Sequence, residues 1–175
     1  MVDRDPSYVI GLDELQCEEL LPTFQWAFGV DDPARVRRWF ERSGMANLRG
    51  YRRGGRLVGG LVLIPMGQWY GGRAVPMAGV AGVAVAPEER GSGLAQTMMA
   101  ECVRELRAAG NPLTALYPAT LPLYRRAGYE VAGYRYRMRV PTTELPRGPR
   151  ELAVREIEEG DDDAVRRCYA ARAAR

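Results

Sequence analysis

Residues 83–95 of the chain read VAVAPEERGSGLA, and this stretch decides the fold. An apolar run ends at Pro87, a loop with glycines at positions 91 and 93 follows, and an apolar pattern with helical spacing starts at Leu94. A helix that begins directly after such a loop presents unpaired backbone N–H groups and the positive end of its dipole at one point. This arrangement is typical of a phosphate-binding site.

A dinucleotide-binding fold is the first alternative for such a loop. That fold requires a six-residue glycine pattern within a β-α-β unit and a carboxylate at the end of the second strand. In this chain the strand predicted after the helix ends at Leu116-Tyr117-Pro118 without a carboxylate, and antiparallel hairpins precede the loop. The sequence therefore argues against a dinucleotide-binding domain.

The patterns on either side of the loop predict a mixed α/β (α+β) domain. Upstream, they indicate a strand at 8–11, helices after Asp13 and after Asp32, and three antiparallel strands joined by Gly54-Gly55 and Gly71-Gly72. Downstream, they indicate a helix that buries Leu94, Met98, Cys102 and Leu106, a strand at 113–117, a short helix at 123–126 and a last strand at 129–140. The proline-containing segment 141–150 reads as a linker, and residues 151–175 as a further strand and helix.

Composition excludes several classes of function. All 25 basic residues among the 175 are arginine, so a Walker loop with its lysine, a histidine-assisted nucleophile and a histidine-ligated zinc site are ruled out. The three cysteines are widely spaced and odd in number, which favours a reducing, cytoplasmic compartment over a disulfide framework. The start of the chain lacks the apolar core of a secretory signal, and the longest apolar run, 75–86, is too short to span a bilayer. We therefore expect no metal and no membrane association.

Charge is concentrated in the middle of the chain. Residues 51–146 carry 12 Arg and 6 Asp or Glu, whereas residues 1–50 carry 6 and 9. A basic centre suits an anionic ligand, and an ordinary solvated arginine surface explains it equally well. The same surplus leaves a nucleic-acid binder as a third functional hypothesis, although the low net charge of +3 argues against it.

Two motifs resemble those of the GNAT superfamily of N-acetyltransferases. Arg90, Gly93 and Ala95 satisfy the pattern Arg/Gln-x-x-Gly-x-Gly/Ala of that superfamily's pyrophosphate loop. About thirty residues later, the segment 123–129, LYRRAGY, is similar to its Φ-Tyr-x-x-x-Gly-Φ signature. The resemblance implies a mixed, mainly antiparallel central sheet with helices on both faces.

Segments 83–87 and 123–129 further resemble the N-terminal domain of the Eis (enhanced intracellular survival) group of acetyltransferases. That group has a second, degenerate GNAT domain, so the resemblance implies a GNAT domain over 1–140, a linker over 141–150, and the start of a second GNAT-like domain over 151–175. It also implies an acceptor of the aminoglycoside or polyamine type. The chain departs from the group by ending at Arg175.

The GNAT resemblance assigns roles to individual residues. The main chain of Arg90, Gly91, Ser92, Gly93, Leu94 and Ala95 would wrap the pyrophosphate of acetyl-CoA, and the backbones of Val83 and Val85 would pair with its pantetheine arm. Tyr124 would act as general acid toward the leaving thiolate, because a phenol is neutral at pH 7 and can donate a proton. The alternative for Tyr124 is a core tyrosine whose hydroxyl caps a nearby carbonyl.

No general base is visible in the sequence. Residues 73–86 contain no Asp, Glu or His, and Glu88 and Glu89 read as solvent-facing loop residues at the cofactor end. We therefore expect the amine proton to leave through water or a group outside this chain. The leading hypothesis is an acetyl-CoA-dependent N-acetyltransferase in which a small-molecule primary amine attacks directly. The alternative is a non-catalytic acyl-CoA-binding regulatory or assembly module, and the oligomeric state, a homo-oligomer included, stays open.

Overall fold

A computed structural model describes residues 7–145, 148 and 153–174. The strands are β1 (Ser7–Ile10), β2 (Leu48–Arg53), β3 (Arg56–Tyr70), β4 (Arg73–Val85) and β5 (Leu113–Leu116); the helices are α1 (Glu14–Phe28), α2 (Pro33–Ser43), α3 (Leu94–Ala108), α4 (Leu121–Arg126) and α5 (Asp162–Ala173). Two compact units are present, one formed by Met1–Gln68 with Ala74–Glu130 and the other by Trp69–Arg73 with Val131–Arg175. Among the helices so described, none is long and apolar enough to cross a membrane.

The strands form one five-stranded sheet in the order β1-β2-β3-β4-β5. The pairs β1–β2 and β2–β3 are antiparallel, and β3 and β4 are hydrogen-bonded neighbours joined by Gly71-Gly72. The last pair, β4–β5, is parallel, because α3 carries the chain back across the sheet between these strands. The predicted mixed, mainly antiparallel sheet is confirmed.

Alternating side chains of β3 divide the apolar core between the two faces of the sheet. Val62 packs with α1 and α2, in a cluster that includes Leu20, Phe24 and Phe40. Its neighbours Leu61 and Leu63 pack with α3 and α4, in a cluster whose members include Leu94, Met98, Met99, Cys102, Leu106 and Tyr124. Since successive strand residues point to opposite faces, the helices cover both faces of the sheet, as predicted.

Local sequence signals explain where the first two helices begin. The Asp13 carboxylate accepts the Gln16 N–H at 2.8 Å, and the Gln16 side chain accepts the Asp13 N–H at 3.1 Å, which completes a capping box. The Asp32 carboxylate accepts the Ala34 N–H at 2.9 Å, and Pro33 occupies the first helical position of α2. Both predicted helix starts are therefore confirmed.

The prediction of a strand at 129–140 is wrong, because the structure assigns no strand there. The alternating residues Tyr134, Tyr136 and Met138 are all exposed, and so are the residues between them. Because both sets of alternating residues are exposed, the segment has no buried face, and an alternating sequence pattern alone does not form a sheet. In the terminal segment, α5 matches the predicted helix, whereas residues 153–157 form no strand. Residues 151–152 of the predicted strand lie outside the described residues. The same holds for residues 146, 147, 149 and 150 of the predicted linker. The domain boundaries at 140 and 150 stay a prediction.

Candidate active site

The loop between β4 and α3 has the geometry of an anion site. Gly91 and Gly93 adopt φ of +78° and +83°, the left-handed region that L side chains rarely enter. A Cβ built on either glycine would meet nothing within 4 Å, so the loop backbone faces open space. The loop therefore needs glycine for its conformation, and its main chain can be approached closely by a ligand.

Several N–H groups of this loop are available to a ligand. The Glu89 carbonyl accepts the Ser92 N–H at 3.4 Å and the Ser92 hydroxyl at 2.7 Å, which tightens the turn. Within the described ranges, no hydrogen bond uses the N–H of Gly91, Gly93 or Leu94. These donors lie directly before or at the N-terminus of α3, where the helix dipole favours a bound anion.

The strand that leads into the loop separates from its neighbour before it ends. Parallel pairing of β4 with β5 stops at Val80 opposite Leu116, whereas β4 continues to Val85. Gly82 adopts φ of +61° within this stretch, a conformation that marks a kink or bulge in a strand. The β4 edge that faces β5 is therefore open from Ala81 to Val85, and its backbone groups can pair with an extended ligand.

The predicted strand residues lie beside this open edge. Val83 and Val85 are partly buried and pack against the core cluster on the α3 and α4 face. Their side chains thus serve the core while their main chain borders the gap between β4 and β5. Both parts of the sequence interpretation, core packing by the side chains and ligand pairing by the backbone, are compatible with this placement.

Tyr124 packs in the same cluster as Val83, Val85 and Leu94. Its side chain is 7% exposed, and burial raises the pKa of its phenol. The hydroxyl makes no hydrogen bond within the described residues, and no buried side-chain polar atom there lacks a partner, so this hydroxyl is open to solvent. The alternative in which the hydroxyl caps a carbonyl is not seen, and Tyr124 can present a proton to a ligand.

Tyr129 supports α4 from the end of its motif. Its N–H and that of Ala127 donate to the Tyr124 carbonyl, both at 3.0 Å, and the two tyrosine rings meet edge to face with centroids 6.3 Å apart. The Tyr129 hydroxyl is hydrogen-bonded to the Thr114 hydroxyl of β5 at 3.1 Å. The motif thus fixes α4 against β5, next to the gap between β4 and β5.

The two carboxylates before the loop are bound by arginines. Glu88 is 3.2 Å from Arg56, and its own backbone N–H and Arg56 lower the pKa of its carboxyl. Glu89 forms an ion pair with Arg53 and its side chain is only 20% exposed, so the prediction of a solvent-facing residue is wrong for Glu89. An anionic carboxylate with a lowered pKa is a weak base near neutral pH. Glu88 is therefore a poor general base, and the Glu89 carboxylate is held in its ion pair with Arg53.

The aromatic residues of α1 and α2 divide between core and surface. Phe24 and Phe40 are fully buried, whereas Phe28 is 48% and Trp26 is 74% exposed. Trp39 lies between these groups, with its ring against Phe24, Phe28 and the backbone of Gly82. An aromatic surface thus reaches from solvent to the kink in β4.

Two arginine interactions were missed in the sequence analysis. Arg49, 7% exposed, contacts the Glu105 carboxylate at 2.6 Å, and the Tyr8 hydroxyl donates to the same carboxylate at 2.9 Å. This network joins β1 and β2 to α3. The second is the Arg53–Glu89 pair described above. The two partners of each pair are far apart in sequence. The only sequence signal for these ion pairs is the presence of arginines on either side of Gly54-Gly55.

The comparison with protein families gives the class of this chain. Residues 9–132, well over half of the chain, match the family model for the acetyltransferase (GNAT) domain. The chain therefore belongs to the GNAT acetyltransferase family, whose acyl donor is acetyl-CoA. This result confirms the resemblance that the two motifs indicated. No curated protein matches the chain in sequence.

Solved structures agree with this assignment. The GCN5-related N-acetyltransferase from Anabaena variabilis is 29% identical with a TM-score of 0.84, over 97% of this chain and 43% of that protein. The GCN5-related N-acetyltransferase from Kribbella flavida is 34% identical with a TM-score of 0.63, over 69% and 32%. Eis1 from Mycobacterium abscessus, 22% identical with a TM-score of 0.60 over 73% and 31%, shares the fold. The chain spans less than half the length of each of these proteins.

Proposed function

We propose that this chain is the acetyl-CoA-binding domain of an enzyme that acetylates a primary amine of a small molecule. The observation that carries the proposal is the continuity of two ligand-binding features. The open edge of β4 from Ala81 to Val85 leads through the turn at 86–89 into the loop at residues 90–95, where the N–H groups of Gly91, Gly93 and Leu94 have no hydrogen-bond partner within the described residues. An extended arm that ends in a pyrophosphate fits such a path.

The residues along this path suit each part of acetyl-CoA. The backbones of Val83 and Val85 would pair with the pantetheine arm, and the main chain of residues 90–95 would hold the pyrophosphate. Gly91 and Gly93 leave the space that a diphosphate needs, because a side chain at either position would occupy it. When bound, the cofactor supplies an acetyl thioester that an amine can attack.

The chain's own groups can assist that attack. A backbone N–H near Val85 would donate to the acetyl oxygen as negative charge develops there. As the amine nitrogen forms its bond to the carbonyl carbon and the carbon–sulfur bond breaks, the Tyr124 hydroxyl would protonate the departing thiolate. The proton that the amine loses would pass to water or to a group outside this chain, since Glu88 and Glu89 are bound by arginines.

We propose a cationic acceptor of the polyamine or aminoglycoside type. The surface formed by Phe28 and Trp39 supports this assignment, because it reaches the kink at Gly82 and aromatic faces attract cations. The similarity in fold to Eis1 agrees with the same group of acetyltransferases. A cytoplasmic location and the start of a second GNAT-like domain at 151–175 belong to this proposal as well.

A non-catalytic acyl-CoA-binding module is the second candidate. The binding of Glu88 and Glu89 by arginines favours it, because it leaves the enzyme without a general base identified in this chain. Both candidates bind acetyl-CoA, and only the enzyme transfers the acetyl group.

Calorimetric titration of the chain with acetyl-CoA tests the proposal. We expect acetyl-CoA and free CoA to bind with a Kd of about 1–100 μM, the usual range for such cofactors, and NAD not to bind. Equal binding of NAD, or no binding of CoA, would contradict the assignment of the loop. If acetyl-CoA binds, a panel of primary amines monitored by release of the free thiol separates the enzyme from the module.

A further inference from the structure

The β2–β3 hairpin reaches the turn that precedes the cofactor loop. Arg53, the last residue of β2, forms an ion pair with Glu89, and Arg56, the first residue of β3, lies 3.2 Å from Glu88. These contacts join residues that are more than thirty positions apart in sequence. The hairpin is distant from Tyr124 in the sequence. These contacts bring its turn against the residues that precede the candidate cofactor loop.

Glu89 is linked to the loop by its backbone and to the hairpin by its side chain. Its carbonyl accepts both the N–H and the hydroxyl of Ser92, and its own N–H donates to the Ala86 carbonyl at 2.9 Å. Ser92 lies between the two glycines that give the loop its conformation. A shift of Glu89 would therefore move the main chain that is expected to surround the pyrophosphate.

The Arg53–Glu89 pair is better shielded from water than its neighbour. The side chains of Arg53 and Glu89 are 37% and 20% exposed, whereas those of Arg56 and Glu88 are 70% and 55% exposed. Ion pairs that are partly buried are screened less by water and salt than exposed pairs. Of the two pairs, Arg53–Glu89 is the one expected to hold the turn in place.

The hairpin is itself held by hydrogen bonds near its turn. The Arg52 guanidinium donates to the Gly55 carbonyl, and the Leu57 N–H donates to the Glu19 carboxylate of α1 at 2.8 Å. At the other end of the turn, the Ala86 N–H donates to the Val58 carbonyl at 2.8 Å. Arg53 thus extends from a hydrogen-bonded hairpin of the sheet to the start of the proposed cofactor loop.

We propose that Arg53 is a positioning residue that holds the pyrophosphate loop through Glu89 and thereby sets the affinity for acetyl-CoA. The proposal rests on the proposed function, because it assigns the loop to the cofactor. Arg53 acts through Glu89 and Ser92, so it affects cofactor binding and leaves the acyl-transfer step at saturating cofactor unchanged.

The test compares Arg53→Gln and Glu89→Gln with the wild-type chain by CoA calorimetry and steady-state kinetics. We expect each variant to raise the Kd for CoA and the KM for acetyl-CoA about threefold to tenfold. The kcat and the KM for the amine should stay within about twofold. The double variant should be no worse than either single variant, because both remove the same interaction. Arg53→Lys, which keeps the charge, should recover most of the affinity.

Arg56→Gln is the matched control, since it breaks the exposed pair with Glu88 in the same hairpin and turn. We expect it to leave the Kd for CoA within about twofold of wild type. Equal effects of Arg56→Gln and Arg53→Gln, additive effects of Arg53→Gln and Glu89→Gln, or a loss confined to kcat would overturn the proposal.

Amide hydrogen exchange separates this inference from the cofactor assignment. In the free protein, Arg53→Gln should speed exchange in a peptide spanning residues 88–97 and leave peptides of α1 unchanged. If the wild-type chain does not bind CoA but this exchange changes, Arg53 orders the loop and the cofactor assignment fails. Unchanged exchange together with unchanged affinity in a wild-type chain that binds CoA would overturn the role of Arg53 alone.

Discussion

The two halves of β4 belong to one strand but differ in what lies beside them. From Met77 to Val80 the strand pairs with β5, and from Ala81 to Val85 that edge has no neighbouring strand in the part of the chain that the structure describes. The paired half forms the last strand pair of the sheet and contributes Ala78 and Val80 to the core. The open half keeps its side chains in the core while its main chain is available to a ligand. One strand therefore combines a paired edge with the edge proposed to bind a ligand, and Gly82 lies just beyond the point where the pairing changes.

The largest expected effect is on stability and comes from adding a side chain at Gly82, the kink in β4. Gly82→Ala would place a methyl group inside contact distance of the Trp39 ring and 3.0 Å from Phe24, at a φ of +61°. Overpacking and left-handed strain together should lower the free energy of unfolding by about 3 kcal/mol. Urea denaturation measures this change.

Gly79→Ala is the control for that variant, because it adds the same methyl group in the paired half. Its closest contact, at 2.9 Å, is the sulfur of Met66, a flexible and partly exposed side chain that can move away. We expect a cost of about 1 kcal/mol. Equal losses for the two glycines would show that the kink has no special role and would remove the contrast between the halves of β4.

The second prediction concerns Tyr124, which packs beside the open half of β4. Tyr124→Phe removes a hydroxyl that has no hydrogen-bond partner within the described residues, so stability should change by less than about 0.5 kcal/mol. The kcat for acetyl transfer should fall about a hundredfold while the Kd for acetyl-CoA is retained, because the leaving thiolate loses its acid. Steady-state rates with thiol detection measure the loss.

Tyr129→Phe provides the comparison for Tyr124→Phe. It removes the hydrogen bond to Thr114 and should cost about 1 kcal/mol of stability with little change in kcat at saturating substrate. Retention of full activity by Tyr124→Phe, or a larger rate loss for Tyr129→Phe, would favour the non-catalytic module or another acid.

The smallest expected effect is a shift of the pH dependence of kcat toward higher pH. Burial raises the pKa of Tyr124 above its ordinary value of 10.0, and a general acid must be protonated to act. The activity therefore persists below that pKa and is lost as pH rises through it, so the alkaline limb of kcat should lie above about pH 10. Tyr124→Phe should lack this limb, and a wild-type limb centred below about pH 9 would argue against Tyr124.

Most of the fold could be predicted because its signals are local. The helix starts at Asp13 and Asp32, the glycine turns and the buried stripe of α3 each depend on residues within a few positions of one another. The glycine loop proposed to bind the cofactor could be recognised for the same reason, since its glycines and the following helix are adjacent in sequence. The strand predicted at 129–140 failed because alternation indicates a strand only where a second surface buries one side, and these residues are exposed.

The candidate site was predicted in part. Val83, Val85, Tyr124 and Leu94 were expected to act together, and the structure places them in or against one cluster. The ion pair of Glu89 was missed, because its partner Arg53 lies in the distant β2–β3 hairpin. Contacts of this kind depend on how elements pack, and a charged pair leaves no periodic pattern in the sequence.

The sequence by itself determined the starts of the first two helices, the glycine turns and the glycine loop before α3, because each depends on backbone preferences and short-range hydrogen bonds. Only the tertiary structure decided where β5 leaves β4, which aromatic ring lies on Gly82 and which arginine pairs with Glu89. These features bring together distant segments, and their positions follow from the packing of helices on both faces of the sheet.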